Sequence, residues 1–516
     1  MRVPHECYAE RSNRNSDMQN GTLLAAVDLG SNSFRLEIGR FAHGQINRIE
    51  YLKETVRQGN GLDADRNLTL DAMQRGWDCL ARFGERLAGF EKAQVRAVAT
   101  QTLREARNRD EFLARAHKIL GFPIDVIPGR EEARLIYQGV AHMLPQSSER
   151  RLVVDIGGRS TEMILGQGLE ARTVESYRVG SVAWSMKYFP DGQFNERAFD
   201  MAEIAAKAVL DEACNTYRAG AWDVAYGSSG TIGAVGDVLT AAGWAPGLVT
   251  REGLNWLLDR LLKTQSADRV KIEGMKEDRR AVIGGGVSVL RAVFELLGIE
   301  QMQAAQGALR HGVLYDLLDR EQDLTDMRST SVQRLAVKFD VDTLQAQRVS
   351  KVARHLFLMA GAWLPAVDSD RLQRKLEWAA QLHEIGSQIS HSDYHKHGAY
   401  ILDNADAPGF ALSELHRLSL LVLGHRGKLR KLEVDFEDHQ FVLQLLCLRM
   451  AVILCHARRD PDLKGLQLEA GNEPGRLFVL SCRTGWGEAY PQSAHLLQEE
   501  VLAWQKTPWN LIVSGL

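Results

Sequence analysis

The chain has 516 residues and a mass of 57.6 kDa, enough for about three or four domains at roughly 100–200 residues each. Hydrophobic residues make up 45% and charged residues 25%, a globular balance that excludes a disordered chain, a collagen and a disulfide-dense scaffold. With Lys+Arg 63 against Asp+Glu 66 the formal net charge is −3, so no overall basicity announces a polyanion and no nucleic-acid partner is expected, although a cleft can still focus positive potential.

Residues 1–22 are polar, carry Arg2, Arg11 and Arg14, and lack the apolar core of a signal peptide; they read as a flexible tail. Six cysteines (Cys7, Cys79, Cys214, Cys447, Cys455, Cys482) without a C-x-x-C pair read as reduced thiols of a cytoplasmic protein. Ordered structure is predicted from the strand Leu23–Val27, which runs into Asp28-Leu29-Gly30-Ser31-Asn32-Ser33 and then a second strand, Phe34–Gly39, as a β-hairpin. A helix over Thr69–Leu87, a strand at Val95–Ala99, a helix over Asp110–Leu120, a strand at Ile124–Ile127 and a helix over Glu131–His142 follow, the alternation of an α/β layered domain.

At Leu152–Val154 a strand enters Asp155-Ile156-Gly157-Gly158-Arg159-Ser160, and a short strand, Met163–Leu165, leaves it. Asp155 falls on Asp28, Gly157 on Gly30, Ser160 on Ser33 and Gly166 on Gly39, an internal repeat that implies two related domains offering polar turns to a shared cleft. Gly227-Ser228-Ser229-Gly230-Thr231 follows the strand-like Val224–Tyr226, and Gly284-Gly285-Gly286 opens a helix over Val287–Leu297. Beyond about Arg320 glycine thins and amphipathic stretches take over: Val332–Phe339, Leu344–Trp363, Leu372–His383, Leu412–Leu423 and Phe441–Ala457. The apolar run Phe441–Cys455 is interrupted by Gln444 and Arg449 and falls short of the ~18 residues of a membrane span. Alternating strands near Leu466–Glu469, Leu477–Cys482 and Leu511–Val513 flank a helix over Ala494–Lys506 as a small α+β cap.

The two Asp–Gly turns carry the chemistry. Successive backbone N–H groups in such a turn make an anion-binding concavity, and glycine removes the side chain that would block a phosphate. Asp28 and Asp155 would repel that phosphate, but they suit Mg²⁺, which takes one or two carboxylates plus phosphate oxygens. An ordinary hairpin turn is the alternative for either loop alone. In Gly129-Arg130-Glu131-Glu132-Ala133-Arg134 the glutamate pair either complements a helix N-terminus or sends one carboxylate into the cleft as a general base. Arg104, in Thr100–Glu105, presents a guanidinium fork that matches phosphate oxygens.

These segments, in this order, resemble the exopolyphosphatase/guanosine pentaphosphate phosphatase (Ppx/GppA) family in its long form. The resemblance implies a duplicated actin-like, ribonuclease-H-type ATPase fold with a cleft between two domains, followed by an all-α HD-like domain and the α+β cap. The expected domains are 23–136, 137–320, 321–465 and 466–516. It implies that Glu132 is the catalytic glutamate, that Arg104 contacts phosphate, and that Asp155 and Glu162, with Asp28, serve metal and water. Ser31, Asn32 and Ser33, Gly157, Gly158, Arg159 and Ser160, and Gly227, Ser228, Ser229, Gly230 and Thr231 fall on its phosphate-binding loops. Arg159 stands where the family usually has a third glycine; it is either strained at positive φ or an added contact to the polyanion.

The expected activity is Mg²⁺-dependent release of terminal orthophosphate from inorganic polyphosphate. The alternative is hydrolysis of guanosine pentaphosphate to the tetraphosphate; an ATP-binding regulator or kinase of the actin-like superfamily, or a non-catalytic polyphosphate- or nucleotide-binding regulator, stands behind both. A monovalent cation is a further candidate cofactor, a homodimer is expected, and peripheral attachment at the inner membrane is an alternative to a free cytoplasmic location. His383-Glu384, with His391, His395, His397 and Arg354-His355, resembles the metal site of HD-type phosphohydrolases with Glu384 in the aspartate's place, and a structural or substrate-handling role is expected. Arg426, Lys428, Arg430 and Lys431 either track a long anionic chain or form a solvated edge.

Overall fold

A computed structural model describes residues 21–320, 325–362, 364–470 and 476–516; the expected tail, but for its last two residues, lies outside the described residues, as do Cys7 and Trp363. The chain divides into two compact units, Met1–Asp326 and Met327–Leu516.

The first unit is built on two sheets of matching topology. In one, β1 (Leu23–Leu29), β2 (Phe34–Ala42), β3 (Gln45–Glu54), β4 (Val95–Ala99) and β5 (Ile124–Val126) lie in the order β3-β2-β1-β4-β5. In the other, β6 (Arg150–Ile156), β7 (Thr161–Gln167), β8 (Glu170–Tyr177), β9 (Val224–Ser228), β10 (Leu248–Thr250) and β11 (Gln301–Ala304) lie in the order β10-β11-β9-β6-β7-β8. In each sheet a three-strand antiparallel meander is extended by two parallel strands on the side of its first member, and in the second sheet β10 adds an antiparallel edge to β11. The duplication read from the Asp–Gly turns is thus one of whole sheets. The strands at the centre are apolar because helices cover them; β3 and β8 lie outside and alternate charged with apolar residues.

The helix Gly129–His142 joins the two halves and is buried along almost its whole length. It packs with the helix Leu309–Arg320 in one apolar cluster, where Leu24, Ala26 and Val98 of the first sheet meet Val153, Ile164 and Tyr226 of the second around Ile136, Val140, Val313 and Leu317. At about 1.5–3 kcal/mol per fully buried large aliphatic side chain, this cluster holds the N-terminal turn of Gly129–His142 in place. The helix Leu309–Arg320, expected to end the second domain, therefore packs on β1 as well.

In the second unit the helices Met327–Lys338, Thr343–Ala360, Ala366–Gln381, Tyr394–Asn404, Leu412–Gly424 and His439–Leu454 share a core that continues into a three-stranded sheet. That sheet is β12 (Leu466–Ala470), β13 (Leu477–Cys482) and β14 (Asn510–Ser514), packed with the helix Pro491–Trp504. His439–Leu454 is a buried helix, and its two polar interruptions are satisfied internally. Gln444 donates to the Leu372 carbonyl at 2.7 Å, and Arg449 pairs with Glu500 and donates to the Gly424 carbonyl at 2.6 Å. Among the described residues no helix is long and apolar enough to cross a membrane.

Candidate active site

Both Asp–Gly turns sit where a central strand ends, and the hairpin register decides what stands beside each aspartate. Asp28 lies directly opposite Arg35, whereas Asp155 lies directly opposite Glu162. Directly opposed side chains share a face of the sheet. The first lobe therefore neutralises its carboxylate through a 2.9 Å Asp28–Arg35 ion pair, while the second accumulates two acids. Glu162 is fully buried; its Oε1 accepts a 2.8 Å hydrogen bond from Ser176, and Oε2 has no partner. Burial pushes its proton affinity well up, with Glu132 and Asp155 adding to the effect against Arg104 and Ser176. Asp155 is pushed up to about 7, first by burial and then by Glu132 and Asp28, against Ser228 and Arg35.

The glutamate pair divides its labour. Glu131 turns into the protein, where Arg134 clasps both its oxygens at 2.8 Å. Glu132 faces the carboxylates of the cleft. Its Oε2 accepts from Arg104 Nη1 at 2.7 Å, and burial raises its pKa, opposed by Arg104 and reinforced by Asp28. Arg104 is fixed by the Ile127 carbonyl at 2.8 Å and by Gln101 Oε1, at 3.0 Å from Nε and 2.6 Å from Nη2. Asp28, Arg104, Glu132, Asp155 and Glu162 are thus brought into one electrostatic neighbourhood.

The loops meet closely. A Cβ on Gly158 would lie 2.9 Å from the Ser31 side chain, so glycine there lets the first and second loops touch. Gly59 and Arg57 donate backbone N–H groups to the Ser31 and Asn32 carbonyls at 2.7 and 2.9 Å, backing the first loop with a segment that the sequence reading did not single out. In the third loop, Gly227 and Ser228 belong to β9. The Cβ that Gly227 lacks would strike Ile232 and Met302, and the Ser228 and Thr231 hydroxyls donate to the carbonyls of Gly307 and Ile156. These are packing and anchoring roles, and in the opening turn of the helix Ser229–Ala241 the Thr231 N–H donates to Ser229 Oγ at 3.2 Å.

Positive φ occurs in this region at Ser229 (φ 91°) and, behind the first loop, at Arg57 (φ 52°), not at Arg159. The strain expected as one reading of Arg159 is therefore a mistaken expectation, and strained backbone sits instead at the third loop, where a serine holds a conformation that favours glycine. The Arg159 guanidinium is occupied within the protein: Nε and Nη2 donate to Glu105 Oε2 at 3.0 and 2.8 Å, and Nη1 to the Gly59 carbonyl at 3.1 Å.

Residues absent from the sequence reading complete the cleft. Arg35 could have been found by applying the seven-residue offset between Asp155 and Glu162 to Asp28. Tyr51 on β3 has the Arg310 guanidinium 4.9 Å and that of Arg48 5.8 Å from its ring centre, and it lies within the fields of Arg35 and Arg279. Arg279 in turn packs on Gly230 of the third loop.

Whether a cation suits the cleft rests on its donors. The orphaned Glu162 oxygen and the mutually raised carboxylates mark a place short of positive charge, and hard carboxylate oxygens fit Mg²⁺. Among the described residues no three or more His, Cys, Asp or Glu side chains converge into a complete metal site, so substrate oxygens or water would have to finish the coordination shell. In the second unit His383 Nδ1 bonds the Ala380 carbonyl at 2.7 Å, and Glu384 pairs with Arg458 at 2.6 Å. Arg426, Lys428, Arg430 and Lys431 are exposed.

The sequence matches the Ppx/GppA phosphatase family over residues 38–321 and Ppx/GppA phosphatase, domain III, over residues 327–501. It is 38% identical over 497 residues to the guanosine-5'-triphosphate,3'-diphosphate pyrophosphatase of Pseudoalteromonas translucida (strain TAC 125), covering 95% of this chain and 98% of the relative. It is 40% identical over 450 residues to the protein of the same name from Vibrio cholerae serotype O1, covering 86% and 88%. Among solved structures, an exopolyphosphatase from Cytophaga hutchinsonii superposes with a TM-score of 0.51 at 25% identity, over 58% of this chain and 98% of that one. An exopolyphosphatase-like protein superposes with a TM-score of 0.53 at 25% identity, over 58% and 98%. The duplicated sheets are those of the actin-like fold of these proteins, and the chain belongs to the Ppx/GppA family of phosphatases, hydrolases of phosphoanhydride bonds.

Proposed function

We propose that the chain hydrolyses guanosine pentaphosphate to the tetraphosphate, releasing the terminal 5'-phosphate. The sequence reading put inorganic polyphosphate first; the relatives that match nearly end to end carry the nucleotide's name and reverse that order. The observation that carries the reading is Tyr51, an aromatic ring flanked by the Arg310 and Arg48 guanidiniums on the strand paired with the one that carries Arg35, because a guanosine needs a flat aromatic or guanidinium face and a polyphosphate does not.

In this reading water attacks the terminal phosphorus in line with the departing bridging oxygen, and Glu132 Oε accepts its proton. A raised carboxylate suits that task, since a base works best with a pKa near the operating pH. Arg104 shifts its donors from Glu132 to the phosphate oxygens, and the N–H groups of the loops fix the phosphate as fixed dipoles. Asp155 and Glu162 would hold the divalent cation, which when bound supplies positive charge to the oxygens that gain negative charge.

A side-by-side turnover assay on guanosine pentaphosphate, long polyphosphate and ATP tests the substrate. Base stacking is worth about 1–3 kcal/mol, so Tyr51→Ala should raise KM for guanosine pentaphosphate roughly tenfold and leave that for polyphosphate unchanged. Equal losses on both substrates would remove Tyr51 from recognition of the nucleoside. Glu162→Gln should raise the Mg²⁺ concentration for half-maximal rate at least roughly tenfold; an unchanged Mg²⁺ titration would exclude Glu162 as a ligand.

A further inference from the structure

Arg159 stands at one end of an unbroken chain of polar contacts that finishes on the proposed base. Its Nη1 donates to the Gly59 carbonyl at 3.1 Å, and its Nε and Nη2 converge on Glu105 Oε2 at 3.0 and 2.8 Å. The other oxygen of Glu105, Oε1, accepts from Gln101 Nε2 at 2.7 Å. With its amide nitrogen thus engaged, Gln101 turns its oxygen to Arg104 Nε and Nη2, and Arg104 Nη1 meets Glu132 at 2.7 Å. The chain crosses the cleft: Arg159 belongs to the loop of the second sheet, while Gly59, Gln101, Arg104 and Glu105 belong to the first lobe. The arginine stem also lies against Gly59, where an added Cβ would come within 3.2 Å of Arg159 Cδ.

Glu105 is the critical link. Its side chain is 13% exposed, and a carboxylate this enclosed needs a cation. Arg159 supplies the close one, and Arg178 adds a more distant field. Without Arg159, the cation left acting on Glu105 is the more distant Arg178, while Glu105 stays linked through Gln101 to Arg104, on its own short helix, Gln101–Glu105. A Glu105 carboxylate that shifts away for want of a close cation would release Gln101 Nε2, and with it the orientation of the oxygen that holds Arg104 toward Glu132.

We propose that Arg159 is a positioning residue: by neutralising Glu105 across the cleft it keeps Arg104 oriented by Gln101 and directed at Glu132. This rests on the reading of Glu132 as base and Arg104 as phosphate clamp. It differs from a direct contact to the polyanion, because the cation acts on turnover through another side chain and not on substrate capture.

The test is a double-mutant cycle on the full chain with the substrate that the parent hydrolyses faster, using Arg159→Gly, Glu105→Gln and the pair, with Arg159→Lys as a second replacement and Glu132→Gln as a control. Arg159→Gly should lower kcat roughly tenfold, since an error of about 1 Å in a catalytic group costs up to ~10²-fold, and should leave KM within about threefold. Removing the stranded carboxylate in Arg159→Gly/Glu105→Gln should restore kcat to within about threefold of the parent, a non-additivity that independent sites do not show. Arg159→Lys, which keeps the charge but not the forked contact, should fall between parent and glycine variant.

A KM that rises several-fold in low salt at unchanged kcat would overturn the proposal in favour of direct substrate contact. A double variant as slow as the single one would overturn it too, as would Arg159→Gly and Arg159→Lys both turning over at the parental rate while Glu132→Gln is inactive. Parental turnover by Glu132→Gln would instead remove the base, and the positioning role with it.

Discussion

Glu132→Gln should reduce turnover by ~10²–10⁴-fold, the usual worth of a general base, while substrate binding survives. The amide keeps the side chain's size, and its oxygen can still accept the Arg104 hydrogen bond now made at 2.7 Å. What it loses is the capacity to take a proton from water. Binding should tighten if it changes, because a buried negative charge beside a polyphosphorylated substrate disappears. A second consequence follows from the neighbours: Glu132 raises the proton affinity of both Asp155 and Glu162. Its neutral replacement should therefore favour their ionised forms and lower the Mg²⁺ concentration needed for saturation. Single-turnover kinetics with saturating Mg²⁺ checks the first effect and a Mg²⁺ titration of substrate binding the second; a kcat within about threefold of the parent would end the mechanism.

Much of this site was legible because its signals are local. An apolar strand running into Asp-x-Gly and a second strand is a short-range pattern, and two copies of it define the central hairpins of both sheets. The outer strands β3 and β8 escaped because their faces are polar and partly exposed, so they carry none of the apolar runs that marked β1 and β6. The sequence reading likewise assigns no element to the helices Ser181–Tyr188 and Glu196–Leu210, between the second and third loops, or to Arg251–Thr264 beyond the third. Contacts of long sequence separation were beyond reach. Arg159 looked free in the sequence because Glu105 lies 54 positions away. Of the two readings of Arg159, positive φ is absent at that position, and the guanidinium that the contact reading aimed at the polyanion is held by Glu105 and the Gly59 carbonyl.

The duplication also explains an asymmetry that sequence alone leaves open. Equivalent hairpins place a partner opposite each aspartate, but one partner is Arg35 and the other Glu162. If both hairpins carried Asp–Glu pairs, the cleft would hold two uncompensated acidic centres a few ångströms from a polyanion. With Asp28 paired to Arg35, uncompensated negative charge is concentrated in the second lobe, where a cation would be held. In the proposed mechanism the cation therefore falls to Asp155 and Glu162, with Asp28 already held by Arg35.

The largest stability effect should come from a residue that never meets substrate. Asp316, 2% exposed on the helix Leu309–Arg320, pairs with Arg96 of β4, with Arg134 of the helix Gly129–His142, and with Arg320 at 2.6 Å. Arg134 also holds Glu131, so this network fixes the helix whose first turn carries Glu132. Asp316→Ala leaves buried guanidiniums without their shared carboxylate, and breaking a buried pair in this way costs about 3–5 kcal/mol. For a unit of this size the melting temperature should fall by on the order of 10 °C, measured by calorimetry of the full chain so that the transitions of the two units are resolved. The three arginines depress the Asp316 pKa far below its ordinary value, against the opposing effect of burial. A depressed carboxylate contributes stability that is fully present above its unfolded pKa of about 3.9 and is lost as pH falls from there toward the folded value. The parent should therefore lose stability steeply below about pH 4, and Asp316→Asn, having nothing to protonate at that position, should start lower and show a flatter acid limb. Parallel acid limbs for the two proteins would show that other carboxylates set the acid stability; an Asp316→Ala melting temperature within about 1 °C of the parent would remove the network from the support of Glu132.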